Sequence, residues 1–379
     1  MALKIVEVSS PTEMHVFNRC PGLIYRDQHR APPFPVLELD GLKRKLLFAR
    51  VEAQPFLAVR GPRTVGRVAA SLLDSPPGER TGYFGYFEAV NDPGVAAALL
   101  GRAAAWLGER GVKKMLGPVD LSPHERLGLL VDGFGGSHNP GMPFNPPYYG
   151  TLLEQCGLSA EIDLFAYHYD LRRPWPKKLV QVAERCRKKP QLGLRSFNPG
   201  DPRGEGEILA AVHNGSMDGL WGFTDLSPAE GTAIWNNLMG CFDPRLALIA
   251  EIKGQPAGLC LTLRPAGQGP FLNLSGQSGA RLAVLGVLPQ YRFQGLEAAL
   301  ILECFHRARR LGVVAMEFSL IAENNVMMNR IIKRLGPLEI SRVYRIYKGP
   351  AGQKNIEICR YFGPSRGINL KIEASGIVF

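Results

Sequence analysis

The sequence predicts an α/β fold of two units in tandem, each a mixed, mostly antiparallel sheet flanked by helices. Three observations lead there. The chain has 379 residues, more than one ordinary domain holds, so two cores are expected. Runs of β-branched and aromatic residues bounded by turn residues alternate with stretches of helical periodicity, the pattern of an α/β protein. The order of these runs then recurs after about residue 194.

Taken in order, LKIVEV reads as a strand and residues 11–26 as a short helix. RAPPFPVLELDGLKRKLL is a Pro-rich loop that turns basic. PFLAVR (55–60), TVGRVAASLLD (64–74) and TGYFGYFEAV (81–90) form a three-stranded meander. Alternation in the last of these puts Tyr83 with Gly85 on one face and Phe84 with Tyr86 on the other, either as core or as the wall of an apolar pocket. NDPG then starts a helix in which Ala97, Leu100, Ala104 and Leu107 recur at helical spacing until Gly111, and MLGPVD reads as a further strand. The second half repeats this: LRSFNP, a helical region through Trp235, LALIAEIK with PAGLCLTLRP, ARLAVLGVLP, a helix over 296–311, and VVAMEFSLI.

Superposing Gly111 on Gly312 and Met115 on Met316 needs an offset of 201 residues, whereas Gly157 on Gly336 needs 179. The difference, 22 residues, places an insertion in the first half over about 120–147. The units are accordingly drawn at 1–172 and 194–349. Between them a basic helix spans 173–193, either a solvated linker or a surface for anionic lipid or phosphate, and 350–379 form a C-terminal extension.

Hydrophobic residues make up 45% and charged residues 21%, which excludes a wholly disordered chain. No apolar run reaches the roughly 18 to 20 residues of a membrane span, and the start lacks a signal-peptide pattern, so a soluble cytoplasmic protein is expected. The seven cysteines have no C-x-x-C spacing, and no P-loop, H-E-x-x-H or Ser-His-Asp arrangement is present, so neither a metal nor hydrolase chemistry is expected. A net charge of +11 suits an anionic partner, a phosphorylated cofactor or an anionic membrane contacted peripherally. Nucleic acid is not expected, since no helix-turn-helix or RNA-binding motif accompanies the charge.

The most informative segment is LAVLGVLPQYRFQGLEAALILECFHRARRLG. A strand ends at Pro289, and Arg292, Phe293, Gln294, Gly295 and Leu296 turn directly into a helix. Such a turn aims backbone N–H groups and the positive end of a helix dipole at one spot, which suits a pyrophosphate, and glycine lets the phosphates approach. Arg292 and Gly295, after Val287-Leu288-Pro289, match the Q/R-x-x-G-x-G/A signature, and Asn325, Met328, Ile331, Ile332 and Gly336 keep the spacing of N-x-x-A-x-x-L-Y-x-x-x-G. In these residues the chain resembles the GNAT superfamily of N-acyltransferases over about 245–349, and through the repeat over most of its length. The runs EFSLIAENNVMMNRIIKRLG, RVYRIYKG, GPVD and NPPYYGTLLEQCG are similar to those of bacterial double-GNAT proteins. Two positions depart from the pattern: Glu297 stands where Gly or Ala is usual, and Ile332 stands where relatives carry a Tyr that protonates the departing thiolate.

The resemblance implies direct acyl transfer from acetyl-CoA or a longer acyl-CoA to an amine on a small molecule, lipid or peptide. Arg292 to Leu296 would then hold the pyrophosphate and Asn325 the cofactor arm, while an N–H near Gly286, Val287 or Leu288 would hold the thioester oxygen. Glu317, Ser319, His124 and Glu125 are the candidates on the acceptor side: the first two share a strand face, and the adjacent His and Glu can relay protons near neutral pH. In the first copy NDPGVAAALL lacks the Arg and the spaced glycines and sets Asp92 where phosphate would lie, so that copy is expected to have lost CoA and to shape the acceptor site with the insertion. A long acyl chain is suggested by analogy, since double-GNAT architectures include fatty-acyl transferases and bacterial sphingolipid N-acyltransferases resemble this group. The alternative is a catalytically inactive module that docks an anionic partner.

Overall fold

In the computed structural model, residues 1–25, 50–73, 81–135, 138–139, 141–239, 242–264 and 279–352 are described. The basic Pro-rich stretch 31–48 and the extension from residue 353 onward lie outside the described residues. The first half runs β1 (Leu3–Glu7), α1 (Pro11–Ile24), β2 (Val51–Arg60), β3 (Arg63–Leu73), β4 (Gly82–Ala89), α2 (Pro93–Gly108), β5 (Lys114–Gly117), β6 (Leu129–Asp132), α3 (Tyr148–Gln155) and β7 (Ser159–Asp170). Helix α4 (Lys177–Arg187) leads to β8 (Leu192–Ser196), α5 (Pro202–Met217), α6 (Pro228–Met239), β9 (Ala247–Ile252), β10 (Gln255–Leu263), β11 (Gly279–Val287), α7 (Leu296–Arg310), β12 (Ala315–Ala322), α8 (Val326–Arg334) and β13 (Ile340–Pro350). The meander is β2 to β4, and its counterpart is β9 to β11.

Local chemistry sets the element ends. Ser10 and Glu13 form a reciprocal capping box at the start of α1. Asp92 accepts from the N–H groups of Gly94 and Val95 to cap α2. Gly295 precedes α7 at φ +82°, a left-handed conformation that L side chains rarely adopt.

All described strands join one sheet in the order β1-β2-β3-β4-β5-β13-β7-β12-β11-β10-β9-β8, with β6 paired to β13. Only β4–β5 and β11–β12 pair in parallel, and each such pair is bridged by a crossover helix, α2 or α7. The last strand of each half has changed places. Strand β7 lies against β12 of the second half, and β13 lies against β5 of the first. The two exchanged strands pair with each other along Ile340↔Tyr167 to Lys348↔Ser159, held by a bidentate Arg345–Asp163 ion pair at 2.7 and 2.9 Å. Strand β7, SAEIDLFAYHYD, buries Ile162, Leu164 and Ala166 on one face, a period of two that marks a half-covered strand.

The alternation expected in β4 is broken. Three steps on β4, from Gly85 to Glu88, oppose two on β3, from Ala69 to Arg67, so a bulge at Tyr86 (φ +51°) shifts the faces. Phe84 and Phe87 therefore share one core, Tyr83 belongs to the opposite face, and Tyr86 packs with Phe17. The basic helix α4 buries Leu179, Ala183 and Cys186 against α7, so it is a packed layer beside the second sheet as well as a connection.

Candidate active site

Strands β11 and β12 pair only from Gly279↔Ala315 to Leu282↔Phe318, then part. The parting coincides with a bulge. Opposite Leu261 and Thr262 of β10 stand Val284 and Leu282, so Ala283 is an extra residue that turns β11 away from its parallel neighbour. The opening is a cavity of about 440 Å³ walled by residues 282–287 on one side and 319–321 on the other.

Backbone direction decides which groups face it. Leu288 donates its N–H to the carbonyl of Ala257 at 2.9 Å, so Leu288 is spent on the ladder and is not available to a thioester oxygen. In an antiparallel pair, donors alternate between the partner strand and the opposite side. With Gly258 opposite Val287, that alternation turns the backbone of Gly286 toward β10 and the backbones of Leu285 and Val287 toward the opening. The carbonyl of Val287 indeed accepts from Arg292 Nε at 3.2 Å on that side. Of the three residues expected to offer a donor, Val287 is the one that faces the wedge. Gly286 serves packing: a Cβ there would lie 2.4 Å from Ser216 Oγ at the end of α5.

At one end of the cavity lies the turn before α7. Arg292 also donates to the carbonyl of Ser216 at 3.0 Å, which pins its guanidinium across the wedge. Gln294 Nε2 donates to the Gln290 carbonyl, and Lys189, just after α4, donates to Gln294 Oε1 at 3.1 Å. Phe293 sits at φ +60° and is 86% exposed, and Leu296 is core. Ala299 is the first helical residue whose N–H returns to the turn, at the carbonyl of Gly295, which leaves the first-turn donors of α7 to an outside acceptor. A Cβ on Gly295 would meet Val182 Cγ1 at 2.8 Å, so glycine also admits α4. Asn325 lines the cavity while its side chain caps α8 by accepting from Met328 N at 3.0 Å. Glu297 is in the wall as well, and Ile332 is buried in the core.

Among the acceptor-side candidates the sequence expectations sort unevenly. Glu317 is buried and is not in the cavity wall: Arg342 donates to its Oε2 at 3.0 Å and Ser319 to its Oε1 at 2.7 Å. In this position Glu317 anchors Ser319 and Arg342. Ser319 does line the cavity, and it also accepts from Arg281 Nε at 3.0 Å. His124 lines the cavity and Glu125 does not. His124 meets His213 of α5, with ring centroids 5.2 Å apart, and both stand in the wall. Burial, then His213, drops His124 to about 4, while burial also lowers His213, whose Nδ1 sits 3.1 Å from Asn214 Oδ1. Both imidazoles are therefore neutral near pH 7. No motif in the sequence marks His213, since a lone His on an amphipathic helix is an ordinary sight and His124 lies 89 residues away in the chain. Among the described residues no group of three or more His, Cys, Asp or Glu is placed to hold a metal ion, and no helix is long and apolar enough to cross a membrane.

The corresponding place in the first half is filled. Strand β4 pairs with β5 only at Gly82↔Met115 and Tyr83↔Leu116, but the chain beyond stays close: Val119 donates to the Phe84 carbonyl at 2.8 Å, and the Asp120 carboxylate accepts from Tyr86 N–H at 2.7 Å. A Cβ on Gly85 would stand 2.1 Å from the Val119 carbonyl oxygen, which is how near the two backbones run. Ala89 N–H donates to the Tyr149 hydroxyl, which donates onward to the buried Glu88 at 2.7 Å, and Tyr148 donates to the Ala89 carbonyl. Three residues, 90–92, join β4 to α2, against eight, 288–295, between β11 and α7. The cap of α2 is Asp92 itself, paired with Arg60 at 2.7 Å.

No family model matches the chain. It is 30% identical to the bacterial ceramide synthase of Caulobacter vibrioides, in an alignment covering 91% of this chain and 97% of that protein. It is 31% identical to protein YghO of Escherichia coli, covering 78% of this chain and 81% of that one. Among solved structures, a tandem GNAT protein from the clavulanic acid biosynthesis pathway superposes with a TM-score of 0.56 at 16% identity, covering 96% of this chain and all of the other. With 30% identity over nearly the whole of the ceramide synthase and a tandem GNAT fold, the chain belongs to the acyltransferase family of the Caulobacter ceramide synthase and YghO.

Proposed function

We propose that this chain transfers a long acyl group from CoA to the primary amine of a long-chain amino alcohol, within the wedge between β11 and β12. The observation that carries the reading is that one cavity brings together the start of α7, the inward backbone of Leu285 and Val287, Ser319 and the His124–His213 pair. The acceptor class comes from the ceramide synthase relative, since a ceramide is the amide of a fatty acid with a long-chain amino alcohol.

The residues divide the work. The turn Arg292 to Leu296 and the N-terminus of α7 hold the pyrophosphate of the acyl-CoA, with Asn325 beside the cofactor arm. His213, neutral near pH 7, takes a proton from the ammonium, and the freed amine attacks the thioester carbon. The carbonyl oxygen gains charge and accepts from Val287 N–H. Attack forms the C–N bond, and collapse restores the carbonyl and breaks the C–S bond; of the two protons lost by nitrogen, one ends on sulfur and one in solvent. A thiol with a pKa near 8.5 leaves readily as thiolate, which suits a wedge with Ile332 where relatives have Tyr. Ser319, fixed by Glu317 and Arg281, orients the amine. The first half supplies His124 and the wall opposite, without a CoA site of its own.

The test is calorimetric titration with CoA, acetyl-CoA and palmitoyl-CoA at fixed ionic strength, followed by mass spectrometry of the product formed with a long-chain 2-amino alcohol. Binding that strengthens with acyl length and an amide product are expected. Absence of binding to every CoA species would overturn the reading in favour of an inactive module for an anionic partner.

A further inference from the structure

The wedge opens between two elements that hold apolar side chains out in solvent. Phe293, on the turn before α7, and Met327, in the first turn of α8, both line the cavity and are themselves exposed, so they stand at its mouth. Val326, beside Met327, is 58% exposed. Of the six large apolar side chains exposed among the described residues, these are three, and such clustering is what separates a patch from ordinary scatter. Phe293 presents its ring from φ +60°, a backbone that a bulky L residue adopts only at a cost.

Cations flank the three tips on both sides. Arg330 and Arg334 of α8 line the same cavity and are exposed, and residues 326–335 include no acid. On the other side, residues 172–190 hold eight Lys and Arg against a single acid, Glu184. Helix α4 spends Leu179, Ala183 and Cys186 on α7, which leaves Arg185 and Lys188 on its exposed surface. The end of α4 abuts the turn that carries Phe293: Lys189 Nζ donates to Gln294 Oε1 at 3.1 Å, and Val182 packs against Gly295. The apolar tips decide what kind of anion suits this ring. A soluble polyanion gives the cations phosphates but gives the tips no apolar phase, whereas a bilayer with anionic headgroups receives both.

We propose that this rim docks the chain peripherally on an anionic phospholipid bilayer, with the wedge mouth facing the headgroups. Phe293, Val326 and Met327 enter the boundary between headgroups and acyl chains, while Arg185, Lys188, Arg330 and Arg334 meet lipid phosphates. Docking stands on the surface alone. That it brings a long-chain substrate to the wedge rests on the acyltransferase reading.

The experiment is co-sedimentation of the full chain with vesicles of phosphatidylcholine, with or without phosphatidylglycerol, at low and high salt. Binding is expected only with phosphatidylglycerol, and weaker at high salt. Val326→Ser with Met327→Ser, and separately Phe293→Asn, whose side chain tolerates a left-handed backbone, should each weaken partition by on the order of tenfold. Arg185→Glu with Lys188→Glu should cost on the order of tenfold or more. Lys4→Glu with Arg203→Glu makes the same change in net charge on β1, at the edge of the sheet, and at the far end of α5 from Ser216. That control should cost less than the rim pair; an equal loss makes the binding a matter of net charge and overturns the proposal. Loss on charge reversal with none from the apolar variants assigns the rim to a soluble polyanion and also overturns it. So does the absence of binding to either vesicle, or complete release by free CoA, which would give the cations to the cofactor's phosphates. If docking persists but no amide forms from a vesicle-borne amino alcohol, the docking surface stands and the acyltransferase reading falls; amide formation without docking gives the reverse.

Discussion

The two halves of this molecule share an order of elements and differ at one seam. In the second half the parallel strands part after Leu282 and Phe318, and an eight-residue turn presents helix-start donors to the gap. In the first half the equivalent seam is closed by the protein's own groups: Val119 and Asp120 beside β4, Tyr149 at Ala89, and Asp92 on α2. The first seam is satisfied from within the protein, and the second borders a cavity. Two copies of one fold can thus keep the same sheet while different groups meet the same strand ends.

That contrast can be broken from the active side. Replacing His213 by Gln should lower kcat by about 10² to 10⁴, the span of general-base catalysis, with little change in affinity for acyl-CoA. Steady-state kinetics beside calorimetry checks it, and an unchanged kcat would move the base elsewhere. The sealed side should respond in stability alone. Tyr149→Phe removes the hydroxyl that joins Ala89 N–H to Glu88 in a buried setting, at a cost of about 1–3 kcal/mol. Denaturant unfolding measures it, and CoA binding should not move.

Smaller effects sharpen the comparison. His124 is lowered to about 4 by burial from an ordinary value near 6.5, so the unfolded chain takes up a proton in that interval and the folded one does not. Stability from this group is complete above about pH 6.5 and is lost as pH falls toward 4, by on the order of 2 kcal/mol allowing for its partial exposure. The loss should shrink in His124→Asn when Tm is followed across that range. The slightest change is expected at Glu297, which faces the wedge from the first turn of α7. Glu297→Ala removes a negative charge near the pyrophosphate and should tighten CoA binding by a few fold, more at low salt than at high. Weaker binding would instead make Glu297 part of the site.

Much of this was legible in the chain. The meander, α2, α7 and the tandem repeat follow from periodicity and from matched glycines, because hydrophobic spacing is dictated locally by the geometry of helix and strand. Arg292 and Gly295 stand out since a turn that leads into a helix leaves its donors free whatever surrounds it. NDPG likewise marked the start of α2. What only the tertiary structure decided is non-local. The exchange of β7 and β13, the bulges at Tyr86 and Ala283, the pairing of Glu317 with Arg342, and the meeting of His124 with His213 all join residues far apart in the chain. Strand partners and ion pairs are chosen by the whole sheet, and nothing in a local pattern records which distant strand will supply them.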